Sequence, residues 1–106
     1  MLNPTCIALV AAALGLLTAP AAQASRALAE KNNCMGCHAL DTRMVGPGLR
    51  EVGARYSGQP DARATLAASI RQGGSGRWGD VPMPPQAQLR PADAQLLADW
   101  ILKGAR

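Results

Sequence analysis

The chain has 106 residues, with 11 Lys and Arg against 7 Asp and Glu, a formal charge of +4, two Trp, one Tyr and no Phe. That length allows one small domain, and the composition excludes collagen-like, coiled-coil, disordered and multi-span membrane proteins. A core so poor in large side chains needs a disulfide, a metal or a large cofactor, and the basic residues are too scattered, with too few aromatics among them, for a nucleic-acid partner.

Every charged side chain lies after residue 24. Before it, the apolar stretch Ile7 to Leu17 is shorter than the ~20 residues a bilayer span requires. Pro20 follows, and Ala22-Gln23-Ala24 has the small-x-small pattern of a signal peptidase site. Residues 1–24 are therefore expected to be a secretory signal peptide, cleaved after Ala24, although no Lys or Arg precedes its apolar run; an uncleaved anchor is the alternative. Cys6 would leave with it. Export to an oxidising compartment means that the two remaining cysteines are paired, metallated or otherwise capped.

The domain is expected over residues 25–106. Ser25 to Asn33 reads as a short helix with Ser25 at its cap. Gly46-Pro47-Gly48 reads as a loop, and Leu49 to Arg55 as a short helix. Asp61 to Gln72 reads as another, with Asp61 as N-cap, Leu66 and Ile70 on one face and Gly73-Gly74 as its stop. Residues 75–90 form a Gly- and Pro-rich loop. Pro91 opens a terminal helix whose Leu96, Leu97, Trp100 and Ile101 form one apolar face. No stretch alternates like a strand, so the expected class is all-α.

The chemistry lies in Cys34-Met35-Gly36-Cys37-His38. C-x-x-C-H is the attachment signature of c-type haem: two thiols at this spacing form thioethers with one haem, and the adjacent histidine becomes an axial ligand of its iron. A thioredoxin-like redox pair would need a strand before it and a sheet around it. A zinc site would need a second Cys or His pair, and the chain has one histidine.

The sixth ligand follows by elimination. Met35 sits inside the cysteine loop, and Met44 is six residues past His38. Met83 lies 45 residues on, within Val81-Pro82-Met83-Pro84-Pro85, where the prolines impose an extended, stiff backbone. Met83 is the expected ligand, with Lys31, Lys103 or an open position as the alternatives. The Pro47 carbonyl is suited to accept the free ring N–H of His38, although turn chemistry alone also explains its triplet. Trp78 is suited either to donate its indole N–H to a buried haem propionate or to plain core packing.

These residues together carry a resemblance. Leu28-x-x-Lys31-Asn32-x-Cys34-x-x-Cys37-His38-Ala39-Leu40-Asp41, Met44-Val45-Gly46-Pro47, Trp78-Gly79, Pro82-Met83-Pro84-Pro85 and a terminal helix bearing Trp100 resemble the small periplasmic class I cytochromes c of denitrifying and respiring bacteria. The resemblance covers residues 25–106. It implies four short helices wrapped around one covalently attached haem c, iron ligation by His38 and Met83, a Trp78–propionate hydrogen bond and an electron-shuttle function. Two positions depart from the family pattern: Gln86 where Asn is common after Met-Pro-Pro, and Ser69 where Arg or His is common before the isoleucine of the third helix.

The expected function is a monomeric, periplasmic one-electron carrier that is not an enzyme and has no small-molecule substrate. The rival is a haem sensor or peroxidase-like enzyme in which Met83 detaches. Its acid–base work would call for a distal His, Arg or Glu, and no second histidine exists. The resemblance implies a membrane cytochrome complex as donor and a nitrite reductase or haem oxidase as acceptor. Docking would use either an apolar patch of Val45, Pro47 and Pro84 or the basic Arg43, Arg77 and Arg50, and the resemblance favours the apolar patch.

Overall fold

The computed structural model describes residues 21–106. Most of the expected leader, residues 1–20, lies outside them. Four helices follow in order: α1 (Ala21–Lys31), α2 (Leu49–Tyr56), α3 (Ala62–Gln72) and α4 (Pro91–Leu102), with a single 3-10 turn at Cys34–Gly36 between α1 and α2. The expected all-α class holds. Among the described residues the one extended pairing is an isolated antiparallel bridge between Gly74 and Met83, and no helix is long and apolar enough to cross a membrane.

Helix α4 is the centre of the packing, against α3 most extensively and then against α2 and α1. Its Ala94, Leu97, Ala98, Trp100 and Ile101 are buried with Leu66, Ala67 and Ile70 of α3 and Leu49, Val52 and Tyr56 of α2. Leu96 departs from the expected face and is half exposed, at 50%. It falls at the outer edge of the stripe, where no neighbouring helix covers it fully. Pro91 opens α4, as its fixed φ and missing N–H favour. The helix ends with Gly104 at φ 89°, which lets the Ala105 N–H reach back to the Trp100 carbonyl at 2.9 Å.

The other helix ends depend on backbone partners more than on side-chain caps. Ser25 lies within α1, not at its cap, and α1 stops at Lys31. There the Asn32 side chain bonds the Leu28 carbonyl at 2.9 Å and Asn33 turns left-handed at φ 62°. Asp61 does precede α3, but it too is left-handed, at φ 58°, and its carboxylate makes no capping bond. At α2 the Leu49 and Arg50 N–H groups donate to the Ala39 and Leu40 carbonyls at 2.9 and 3.0 Å. Donors that a helix start leaves free thus tie α2 to the segment that follows His38.

The crossing of α2 and α4 is close enough to require glycine. A Cβ at Gly53 would collide with the backbone carbonyl of Ile101, which no side-chain rotation can relieve. Gly53→Ala is expected to destabilise the holoprotein by about 1–3 kcal/mol, the usual range for overpacking. A lower denaturant midpoint at unchanged slope is the expected outcome in equilibrium unfolding.

Candidate functional site

The 3-10 turn puts Cys34 and Cys37 on one tight bend, with the His38 N–H donating to the Cys34 carbonyl at 2.9 Å. Both thiols are free, so the pair is not a disulfide. Burial pushes the Cys34 thiol above its usual range; a backbone hydrogen bond opposes this and the neighbouring Cys37 adds to it. Among the described residues, no three His, Cys, Asp or Glu side chains come together to hold a metal ion.

His38 is oriented from two sides. Its Nδ1 lies 2.7 Å from the Pro47 carbonyl oxygen, and since a carbonyl can only accept, Nδ1 carries the proton. In the neutral imidazole that tautomer keeps the lone pair on Nε2. The Gly46 N–H donates to the Cys37 carbonyl at 2.8 Å, drawing the loop against the ring. A Cβ at Gly46 would strike the imidazole at Cε1 and Nδ1.

Met83 is positioned by backbone. It exchanges both bridge hydrogen bonds with Gly74, at 2.8 and 3.0 Å. Gly73, at φ 64°, ends α3 and turns the chain so closely past Met83 that a Cβ there would meet the Met83 carbonyl. Beyond the prolines, the Gln86 N–H donates to the Arg71 carbonyl at 3.0 Å, and Arg71 Nε donates to the Leu89 carbonyl at 3.0 Å. The stiffness of the methionine segment therefore has two sources, prolines within it and α3 beside it. The Gln86 amide donates to the Pro84 carbonyl at 3.0 Å and accepts from Gln88 at 2.8 Å.

Between these segments lies an open cleft of about 1020 Å³, bordered by Cys37, His38, Pro47, Trp78 and Met83 among others. A smaller hollow of about 320 Å³ shares His38 and Met83 with it and reaches Cys34 and the buried Trp100. Of the six residues singled out in the sequence, Cys37, His38, Pro47, Trp78 and Met83 border the larger cleft, and Cys34 borders the smaller hollow that shares His38 and Met83 with it. Its floor is apolar, with Val52, Leu66, Ile70 and Ile101. Imidazole, thioether and two thiols around an apolar slot form a donor set that fits a haem.

Sequence reasoning missed what surrounds Trp78. Its ring is partly buried and lies beneath the Arg55 guanidinium, 3.6 Å from the centroid. Its carbonyl accepts from Arg43 Nη2 at 2.9 Å, so Arg43 is tied to the loop rather than free at the surface. Arg50, the other cation expected at a docking face, holds Asp41 at 2.7 Å and the Gly104 carbonyl at 3.0 Å. Tyr56, buried and bordering the cleft, also went unnoticed; its apolar neighbours Val52 and Ala54 gave no signal beyond helical spacing.

An all-α frame carrying C-x-x-C-H beside a cleft that a methionine also borders defines the small class I bacterial cytochrome type. The family model for cytochrome c matches residues 22–105, and the chain belongs to the cytochrome c family. It is 50% identical over 91 residues to cytochrome c-552 of Nitrosomonas europaea, covering 86% of this chain and 88% of the relative. It is 48% identical over 75 residues to cytochrome c-551 of Azotobacter vinelandii, covering 71% and 90%. The crystal structure of wild-type Nitrosomonas europaea cytochrome c552 superposes with a TM-score of 0.73 at 48% identity, over 74% of this chain and 98% of that one. Membership brings a covalently attached c-type haem with its iron, and makes the chain an electron-carrier type with redox-protein partners, not an enzyme.

Gly46→Ala is expected to force the His38 ring off the Pro47 carbonyl. The holoprotein should lose about 1–3 kcal/mol of stability, read as a lower denaturant midpoint for haem-band absorbance.

Proposed function

We propose that this chain is an exported, periplasmic one-electron carrier. Cys34 and Cys37 hold one haem through thioethers, and His38 Nε2 and the Met83 thioether are its axial ligands. One observation carries the reading. The His38 Nδ1–H is spent on Pro47, so that in the neutral ring Nε2 is the nitrogen available as a ligand, and the ring borders the same cleft as Met83. When bound, the haem supplies a one-electron ferric–ferrous couple.

The chain's own residues do the rest. The Pro47 carbonyl fixes the tautomer and the ring plane of His38 and raises its basicity. The prolines and the Gly74 bridge hold Met83 in place, so little side-chain entropy is lost when its sulfur is engaged. Leu66, Ile70 and Ile101 exclude water from the floor of the cleft. Trp78 stands at the rim to donate its indole N–H to a propionate. With His38 and Met83 both holding the iron, no ligand position would be left for a substrate.

Val45 and Val81 border the mouth of the cleft and are 53% and 61% exposed. With Met44, 51% exposed, they form the apolar part of a small contact suited to brief encounters with a membrane cytochrome complex as donor and a nitrite reductase or haem oxidase as acceptor. Arg43 and Arg50 are engaged within the chain, which supports docking that is mainly apolar.

Three outcomes are expected. Native exported protein should have the mass of residues 25–106 plus one haem, with no alkylatable thiol; two reactive thiols would refute the attachment. Met83→His should keep the haem but lower the reduction potential by on the order of hundreds of millivolts. The weak red absorption band of sulfur–iron charge transfer should vanish in it, and survival of that band in Met83→Ala would assign the sixth ligand elsewhere. Electron transfer to a purified acceptor should slow only a few-fold between low and physiological salt; in stopped-flow measurements, a steep fall abolished by replacing Arg43 and Arg77 would show electrostatic docking instead.

A further inference from the structure

Apart from His38, the charged side chains bordering the cleft are Arg43, Arg77 and Asp80. All three belong to its rim, where the Trp78 loop meets the loop after His38, while the floor is apolar. The ion pairs among the described residues are Arg26–Glu30, Arg50–Asp41, Arg63–Asp99 and Arg90–Asp93. Arg43, Arg55 and Arg77 take part in none of them. Three guanidinium groups thus converge on one loop without a carboxylate partner.

Their roles differ. Arg43 Nη2 is committed to the Trp78 carbonyl, and the Arg55 guanidinium stacks on the Trp78 ring while its Nη1 donates to the Arg77 carbonyl. Both hold the backbone of the loop. Of the three, Arg77 is the one hydrogen-bonded to a side chain: its Nη1 donates to Ser69 Oγ at 2.6 Å. That hydroxyl donates in turn to the Thr65 carbonyl at 2.9 Å, so its proton is already used and its lone pair faces the arginine. A guanidinium has five N–H donors in a planar fork, and the brace uses one edge of it.

We infer that Arg77, braced by Ser69, is the cation that pairs with a carboxylate of the bound cofactor, and that Arg43 and Arg55 position the loop that presents it. This rests on the haem reading above. A haem carries two propionates, and an ionised carboxylate is costly in an apolar slot unless it is paired. The polar rim at Trp78 is the end of the cleft that supplies partners. The groups facing it are Arg43 from the loop after His38, Arg55 and Tyr56 from α2, Ser69 from α3, and Asp80 from the Trp78 loop itself. Asp80 brings a negative charge to the same rim, so a cation is needed there all the more. Arg77 also supplies a fixed positive charge beside a redox centre, which favours the reduced, more negative state.

The test is the midpoint potential of the purified holoprotein at one pH, read with the red sulfur–iron band. Arg77→Gln should lower the potential and leave the band intact, and Arg77→Lys should restore most of the difference. Ser69→Ala keeps the charge but removes its brace, and should give a smaller shift in the same direction. An unchanged potential in Arg77→Gln, with band and haem content intact, overturns the inference and leaves the carrier reading standing. Absence of the band or of covalent haem in the unaltered protein overturns the carrier reading and this inference with it. Equal lowering by Gln and Lys would mark Arg77 as a packing residue and overturn the inference as well.

Discussion

The hydrogen bond between His38 Nδ1–H and the Pro47 carbonyl fixes more of this molecule than its 2.7 Å span suggests. It settles which ring nitrogen keeps a lone pair and which way the ring faces. It also closes the loop between the cysteine turn and α2, whose first N–H groups are satisfied by Ala39 and Leu40 inside that loop. Gly46 completes the arrangement by leaving room for the imidazole. A bond between two residues nine apart thus couples the start of α2 to the orientation of the only histidine.

The opposite border of the cleft obeys a different logic. Met83 has no side-chain clamp comparable to the one on His38; it is held through its backbone. The Gly74 bridge, the positive φ of Gly73 and the Arg71 contacts fasten the proline-rich segment to the end of α3. Helix α3 is in turn packed on α4, the element that all three other helices share. A small core is enough for such a frame because it does not have to fill the cleft. The apolar floor of Leu66, Ile70 and Ile101 is shared between the core and the space above it, which is how a chain with so few large side chains accommodates a large cofactor.

Gln86 and Ser69, the two positions that the sequence resemblance sets apart, acquire defined surroundings. Gln86 is one methylene longer than asparagine, and its amide is occupied by the Pro84 carbonyl and by Gln88. Ser69 borders the cleft without a charge of its own, but it receives Arg77 from the neighbouring loop.

The sequence by itself determined the class, the covalently bound haem and a few of the residues that border the cleft. Those depend on spacing and on scarcity: two thiols three positions apart, one histidine beside them, and one methionine enclosed by prolines far enough along to return. It also located the four helices within a few residues, because Pro91, Gly73 and the apolar spacing act locally. Only the tertiary structure decided the finer matters. Asp61 precedes α3 without capping it: its backbone is left-handed, not in the extended region that a capping side chain usually accompanies. Leu96 stays half exposed because an apolar face is buried only where a neighbour covers it. Arg43, Arg55 and Arg77 converge on Trp78 although they are up to 34 positions apart in the chain. Contacts of that kind leave no periodic trace in a sequence, because they are made where loops meet and not along any one helix.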